Sequence, residues 1–209
     1  MFNDYFDNVY LINLDRSKDR LEKSTKELSK LNVDFERWSA IDGDTEDFEW
    51  DRESNDKMPG WNKRSAGLVH TTIEIIENAK RNNYSSILIF EDDIEFHPQC
   101  TSTIPKAMKL LPKYWDLMFF AITNKHEKQW IGKYLKQVKR GWCCQAYAIH
   151  CSVYDWYLEE LKRVNRPIDA ITVEIQENGK SYATETNMVL HPPNDSTIRG
   201  RFFDHSKEA

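Results

Sequence analysis

Apolar and polar positions along the chain switch between two periods, and the switches mark the elements. Residues 8–14 read NVYLINL, an apolar run rich in Val, Tyr and Ile that predicts a buried strand. Ser17 follows as a helix cap, and Leu21, Leu28 and Leu31 recur at helical spacing among charged residues, so a helix is expected to stop near Asn32. A second strand fits Phe35 to Ile41, closed by the turn pair Asp42-Gly43. Residues 44–62 turn acidic and lose periodicity, with Pro59-Gly60 as a turn signal, and are read as a mobile surface loop of the kind that covers active sites. Over residues 64–82, Leu68, Ile73, Ile76 and Ala79 share one helical face. That helix leads into Ile87, Leu88, Ile89 and Phe90, consecutive apolar positions suited to a central strand covered on both faces.

Beyond it the pattern predicts a helix at 104–111, a strand at 117–122, an indistinct stretch to Arg140 and a strand at 143–149. Helices at 153–164 and 167–176, a closing strand at 182–190 and a tail over 194–209 complete the chain. Alternation of strand and helix predicts an α/β sandwich on a largely parallel sheet, and 209 residues suit one domain over the whole length.

Composition narrows the partners. A 40% hydrophobic and 12% aromatic content suits a packed core rather than a disordered chain. A net charge of -5 provides no basic stripe to neutralise a phosphate backbone, so nucleic acid is not an expected partner. No stretch approaches the ~20 apolar residues of a membrane span, and the acidic start lacks the basic region of a signal peptide. A cytoplasmic protein, at most peripheral to a membrane, is expected. Cys100, Cys143, Cys144 and Cys151 lack the paired spacing of a zinc site and are read as reduced thiols, with Cys143 and Cys144 in a strand.

Candidate chemistry centres on Glu91, Asp92 and Asp93, three acids directly after the apolar strand. Alternation along an extended chain would put Glu91 and Asp93 on one side and Asp92 on the other. Such hard oxygen donors suit Mn²⁺ or Mg²⁺ rather than Zn²⁺. Ligands of open α/β sheets bind beyond the carboxyl ends of strands, where this triplet falls, and a cation there could bind a diphosphate. The bland reading is a loop start or a helix cap.

Several segments occur in a fixed order: NVYLINLDRSKDR from Asn8, AIDG from Ala40, LIFEDDIEF from Leu88, WDLMFF from Trp115, AYAIH from Ala146 and PIDAI from Pro167. The series resembles glycosyltransferase family 25, which includes lipooligosaccharide and collagen galactosyltransferases. That resemblance implies a single-domain GT-A fold, a UDP-sugar donor, Mn²⁺ (or Mg²⁺) as cofactor, inversion at the anomeric carbon and a glycan or glycoprotein acceptor. Galactose is the favoured sugar, with glucose its near competitor. The matching first motif comprises Ile12, Asn13, Leu14, Asp15, Arg16 and Arg20. Its region lines the nucleotide, and Arg16 and Arg20 are read as phosphate contacts or as salt bridges to Asp15 or Asp19.

The resemblance also assigns Asp42 and Gly43 to the base or ribose, and Asp92 and Gly67 to donor binding. Asp93, assisted by Glu91 or Asp92, is the metal ligand, joined by His191, with His205 the rival. Asp169, in P-I-D at a helix start, is the candidate base for the acceptor hydroxyl, with Glu174 and Asp116 as alternatives. The chain departs from the family over Lys63 to Thr72, where Gly67 alone matches cleanly, Thr71 can replace a serine hydroxyl and His70 is one position from the expected histidine. Trp50, Trp61, Trp130 and Trp142 are candidates for a sugar-stacking platform. A binding protein that has kept the fold without catalysis is one competing reading. A nucleotidyltransferase is another, weakened because NLDRSKDR carries no glycine-rich phosphate loop.

Overall fold

The computed structural model describes all residues except 56, 125–128, 193, 197–200 and 204–209, so His205 lies outside the described residues, as does the side chain of Trp130. In chain order the strands are β1 (Asn8–Asn13), β2 (Glu36–Ser39), β3 (Ser86–Glu91), β4 (Glu95–Phe96), β5 (Leu117–Phe119), β6 (Thr123–Asn124) and β7 (Gln129–Gly132). They continue with β8 (Leu135–Gln137), β9 (Gly141–Trp142), β10 (Ala146–His150), β11 (Ser181–Thr184), β12 (Val189–Leu190), β13 (Asn194–Ser196) and β14 (Arg201–Phe203). The α-helices are α1 (Lys18–Lys30), α2 (Lys63–Arg81), α3 (Cys100–Leu110), α4 (Tyr154–Leu161) and α5 (Ile168–Glu177).

Eight strands form one sheet in the order β2-β1-β3-β10-β5-β11-β8-β7. Taking β1 as reference, β2, β3, β5, β11 and β7 run with it and only β10 and β8 run against it. Parallel neighbours need crossovers, and the helices that make them cover both faces. Tyr10, Ile12, Ile87 and Ile89 face one core with Ile75 and Ile76 of α2, Tyr157 of α4 and Ile171 of α5. The alternate residues Val9, Leu11, Leu88 and Phe90 face a second core with Leu28 of α1 and Ile104 of α3. This two-sided burial is why β3 reads as an unbroken apolar run. Helix α2, which flanks the site, is started by a reciprocal cap: Asn62 Oδ1 accepts from Ser65 N, and Ser65 Oγ accepts from Asn62 N.

Several expectations are corrected. Cys143 and Cys144 lie in the turn between β9 and β10, not in a strand, and Cys143 has φ 85 in the left-handed region. The single closing strand is two. β11 belongs to the main sheet while β12 pairs with β4, and the chain breaks at Asn187, whose amide brackets Ile122 by bonding its N and O at 3.1 and 3.2 Å. Helix α3 starts at Cys100, four residues before Ile104. Between residues 44 and 62 the described residues are irregular; Trp61 is buried and donates to Asp51 O at 2.8 Å, and Asp51 N donates to Val164 O at 3.0 Å. All four cysteines are free thiols. No helix among the described residues is long and apolar enough to cross a membrane.

Candidate functional site

The carboxyl ends of β1 and β3 open together into a cleft of about 110 Å³. Asn13, Leu14, Arg16 and Arg20 line it from β1 and α1, Asp42 and Gly43 from the turn after β2, Arg64 and Leu68 from α2, and Glu91, Asp92, Asp93 and His191 from the far side. Of the donor and metal candidates, only Gly67 lies outside this lining. Strand β3 ends at Glu91, so strict alternation no longer governs the two aspartates. Arg20 therefore reaches both, with Nε 3.0 Å from Asp92 Oδ1 and Nη2 2.6 Å from Asp93 Oδ2. Neither Asp15 nor Asp19 is its partner in these ion pairs.

Each acid is held from a different element. Asp92 is buried; its Oδ2 accepts from Asn13 Nδ2 at 2.5 Å and its main-chain O from Ser24 Oγ at 2.8 Å. Asp93 Oδ2 also meets His191 Nε2 at 3.0 Å, and Gln145 Nε2 donates to its Oδ1 at 3.1 Å. Burial pushes the Glu91 carboxyl up to about 8, and the charges of Asp93 and Asp169 push the same way. Burial also raises Asp92, against the pull of Arg20 and the Asn13 bond. At His191 burial favours the neutral ring, but the bond to Asp93 and its charge win, so the imidazole is raised above its ordinary value. Glu91 and His191 thus both hold their protons more firmly than in water.

The opposite wall is basic. Arg16 Nε lies 2.6 Å from Asp42 Oδ2 and its Nη2 3.2 Å from Asp44 Oδ2, while Arg64 Nε lies 2.7 Å from Asp44 Oδ1. The Arg64 bond holds the Asp44 carboxyl below the usual carboxylate range. Asp42 also accepts from Asp44 N within its own turn. Both of its oxygens thus have protein partners while the residue still lines the cleft. Gly43 is needed for packing rather than for close approach of a ligand, since a Cβ there would sit 2.4 Å from Lys63 O and 2.6 Å from Arg64 Cα. Gly67 is the counterpart on α2: a Cβ would meet Ile41 O at 2.5 Å. Thr71 completes this contact by accepting from Ile41 N at 2.9 Å. His70 points elsewhere, with Nε2 2.9 Å from Glu49 O, and does not replace the expected histidine.

Asp169 begins α5, and its charge reaches both Glu91 and the thiol of Cys144. Asp116 is excluded from the cleft by topology. It precedes β5, and its neighbour Leu117 pairs with Ile149, which pairs with Ile87 near the start of β3, so Asp116 lies at the opposite end of the strands from the cleft. There it accepts from Ser152 Oγ at 2.8 Å. Glu174 is bound to Arg166 at 2.6 Å. Trp61 is core and Trp50 packs on it with ring centroids 6.0 Å apart, leaving Trp142, half exposed, as the accessible ring of the described candidates. Sequence reasoning missed Arg64 and Gln145. The former carries a signal, because a cation in the first turn of a helix opposes the helix dipole and implies an acidic partner. Gln145 is a polar residue in an otherwise buried run, and such residues are expected to be hydrogen-bonded.

The donor chemistry fits a hard divalent ion, since carboxylate oxygens and one imidazole nitrogen meet beside an excess of buried acid whose mutual repulsion a cation would relieve. Among the described residues no three His, Cys, Asp or Glu side chains are grouped so as to hold a metal ion, and the two aspartates are instead closed on Arg20.

Comparison with known proteins bears on this site. A family described as "Glycosyltransferase family 25 (LPS biosynthesis protein)" matches residues 6–172. A "Glycosyltransferase 25 family member" of Anopheles gambiae is 28% identical over 159 residues, covering 65% of this chain and 25% of that protein. Its counterpart in Aedes aegypti is 26% identical over 138 residues, covering 59% and 23%. The chain thus spans about a quarter of the length of these relatives. Among solved structures, a glycosyltransferase "involved in the glycosylation of the major capsid of PBCV-1" superposes with TM-score 0.50 at 11% identity, over 84% of this chain and 79% of that one. That likeness bears on the fold, an α/β sandwich of the expected GT-A type.

Proposed function

The chain belongs to glycosyltransferase family 25, and from that premise we propose that it transfers a hexose, galactose or its epimer glucose, from a UDP-sugar to a hydroxyl of a glycan or protein acceptor, with inversion. The observation that carries this reading is that Arg16, Arg20 and Arg64 line one cleft with Glu91, Asp92 and Asp93 at the carboxyl ends of β1 and β3. Guanidinium groups match phosphate oxygens, and buried carboxylates match a divalent cation.

Arg16 and Arg64, already facing the cleft, bind and orient the diphosphate, exchanging part of their contact with Asp42 and Asp44 for phosphate oxygens. Asp93 and His191, assisted by Glu91 or Asp92, hold Mn²⁺ or Mg²⁺, whose chemistry there is to offset the charge that builds on the departing nucleoside diphosphate. Gln145 fixes the Asp93 carboxylate from behind. Asp169 takes the proton of the acceptor hydroxyl as that oxygen attacks the anomeric carbon, because the hydroxyl becomes acidic only as its bond to carbon forms. Asp169 stands in the first turn of α5, where the exposed N–H ends of a helix favour negative charge.

Binding and hydrolysis of a UDP-sugar panel, with and without Mn²⁺, tests this reading in wild type and Asp93→Ala. Metal-dependent UDP release that is lost in the variant supports it and names the donor. Failure of every nucleotide sugar to bind would leave the fold as a scaffold or binding protein.

A further inference from the structure

We propose that Arg20 is the resident counter-ion of the Asp92–Asp93 pair, keeping the place of the divalent cation until a donor diphosphate draws the guanidinium away. The inference rests on the metal and donor reading above and adds an order of events to it. One guanidinium spans two different carboxylates, at 3.0 and 2.6 Å. The aspartate side chains are only 10% and 7% exposed, so unpaired charge there would be strongly unfavourable, whereas Arg20 is 24% exposed and reaches the cleft. Arg20 also stands in the first turn of α1, where exposed N–H groups disfavour a cation and favour an anion. Its position is compensated by the two acids it holds, and a diphosphate would compensate it equally.

The two cations compete for the same oxygen. A divalent ion bound to Asp93 Oδ2 would sit about 2.1 Å from it, and Arg20 Nη2 already lies 2.6 Å from that atom. Their repulsion disfavours metal binding alone. When a diphosphate enters, Arg20 turns to it and the carboxylates are released to the metal, so nucleotide and metal each favour the other's binding. Linkage makes that coupling reciprocal.

The test is a Mn²⁺ titration read by the electron paramagnetic resonance of the free ion, on wild type, Arg20→Gln and Arg20→Lys, with and without UDP. Wild type is expected to bind Mn²⁺ weakly alone and more tightly with UDP. Removing a cation adjacent to two carboxylates should tighten Mn²⁺ binding in the absence of nucleotide by about tenfold or more in Arg20→Gln, and the tightening caused by UDP should shrink. Arg20→Lys, which keeps the charge, should stay near wild type. Thermal melting gives a second readout: Arg20→Gln should melt lower than wild type in EDTA and gain more from Mn²⁺. Equal or weaker Mn²⁺ binding by Arg20→Gln alone overturns the inference and makes Arg20 a support for the aspartates. Wild type that binds UDP but ignores Mn²⁺, beside an Arg20→Gln protein that gains it, would overturn the exchange and the metal-dependent reading together, leaving Arg20 a permanent counter-ion. No Mn²⁺ bound by any protein in either condition overturns both.

Discussion

Gly67→Ala sets helix propensity against packing. Gly67 is buried within α2, five residues into the helix, at a position where alanine would stabilise a free helix by about 1 kcal/mol. Its Cβ would lie 2.5 Å from Ile41 O and 3.3 Å from Gly43 N, both backbone atoms that cannot rotate away. Overpacking of this kind costs about 1–3 kcal/mol. The shift needed to relieve it also stretches the 2.9 Å bond from Ile41 N to Thr71 Oγ1, worth about 1 kcal/mol. The balance is a net loss of about 1–3 kcal/mol, or a fall in Tm of roughly 2–12 °C for a chain of this size. Because Ala40 to Gly43 line the cleft, UDP binding should weaken at the same time. Urea and thermal melts, with UDP affinity by calorimetry, check both consequences. A variant that is as stable as wild type or more so, with UDP affinity intact, would refute the packing account of this glycine.

Two further outcomes are expected. Asp169→Asn should slow sugar transfer by about 100-fold or more while UDP affinity holds, whereas Asp116→Asn, at the opposite end of the strands, should leave the transfer rate within a few-fold; equal losses in UDP-release assays would remove Asp169 as the base. In alkylation at pH 8 followed by mass spectrometry, exposed Cys151 should react first. Cys100, whose thiol burial pushes up to about 12, should react only after unfolding, and labelling of both at the same rate would show that the α3 core opens freely.

What the sequence disclosed follows from which interactions are local. The run Ile87 to Phe90 identifies a doubly covered strand because both of its faces are apolar, and the acids after it must then lie beyond its carboxyl end. The turn at Asp42-Gly43 is equally legible, but the reason for the glycine is not, since the atoms it must avoid belong to Lys63 and Arg64 on another element. Strand direction is illegible too: β10 has the same apolar alternation whether it runs with β3 or against it, and the observed reversal brings Gln145 beside Glu91 and Asp93.

The same limit governs the charges. Sequence proximity nominates Asp15 and Asp19 for the basic residues of the first motif, yet Asp15 is bound by Arg37 and Ser39 of β2, which leaves Arg16 to Asp42 and Arg20 to the pair after β3. Each arginine therefore closes the cleft from β1 or α1 onto a different loop. A ligand able to break those contacts must offer the guanidinium groups an anion as strong as a carboxylate and geometrically as well matched. Diphosphate meets both conditions, and a neutral sugar meets neither. Recognition of the donor is therefore expected to depend chiefly on its diphosphate, with the sugar chosen by weaker contacts at the mouth of the cleft.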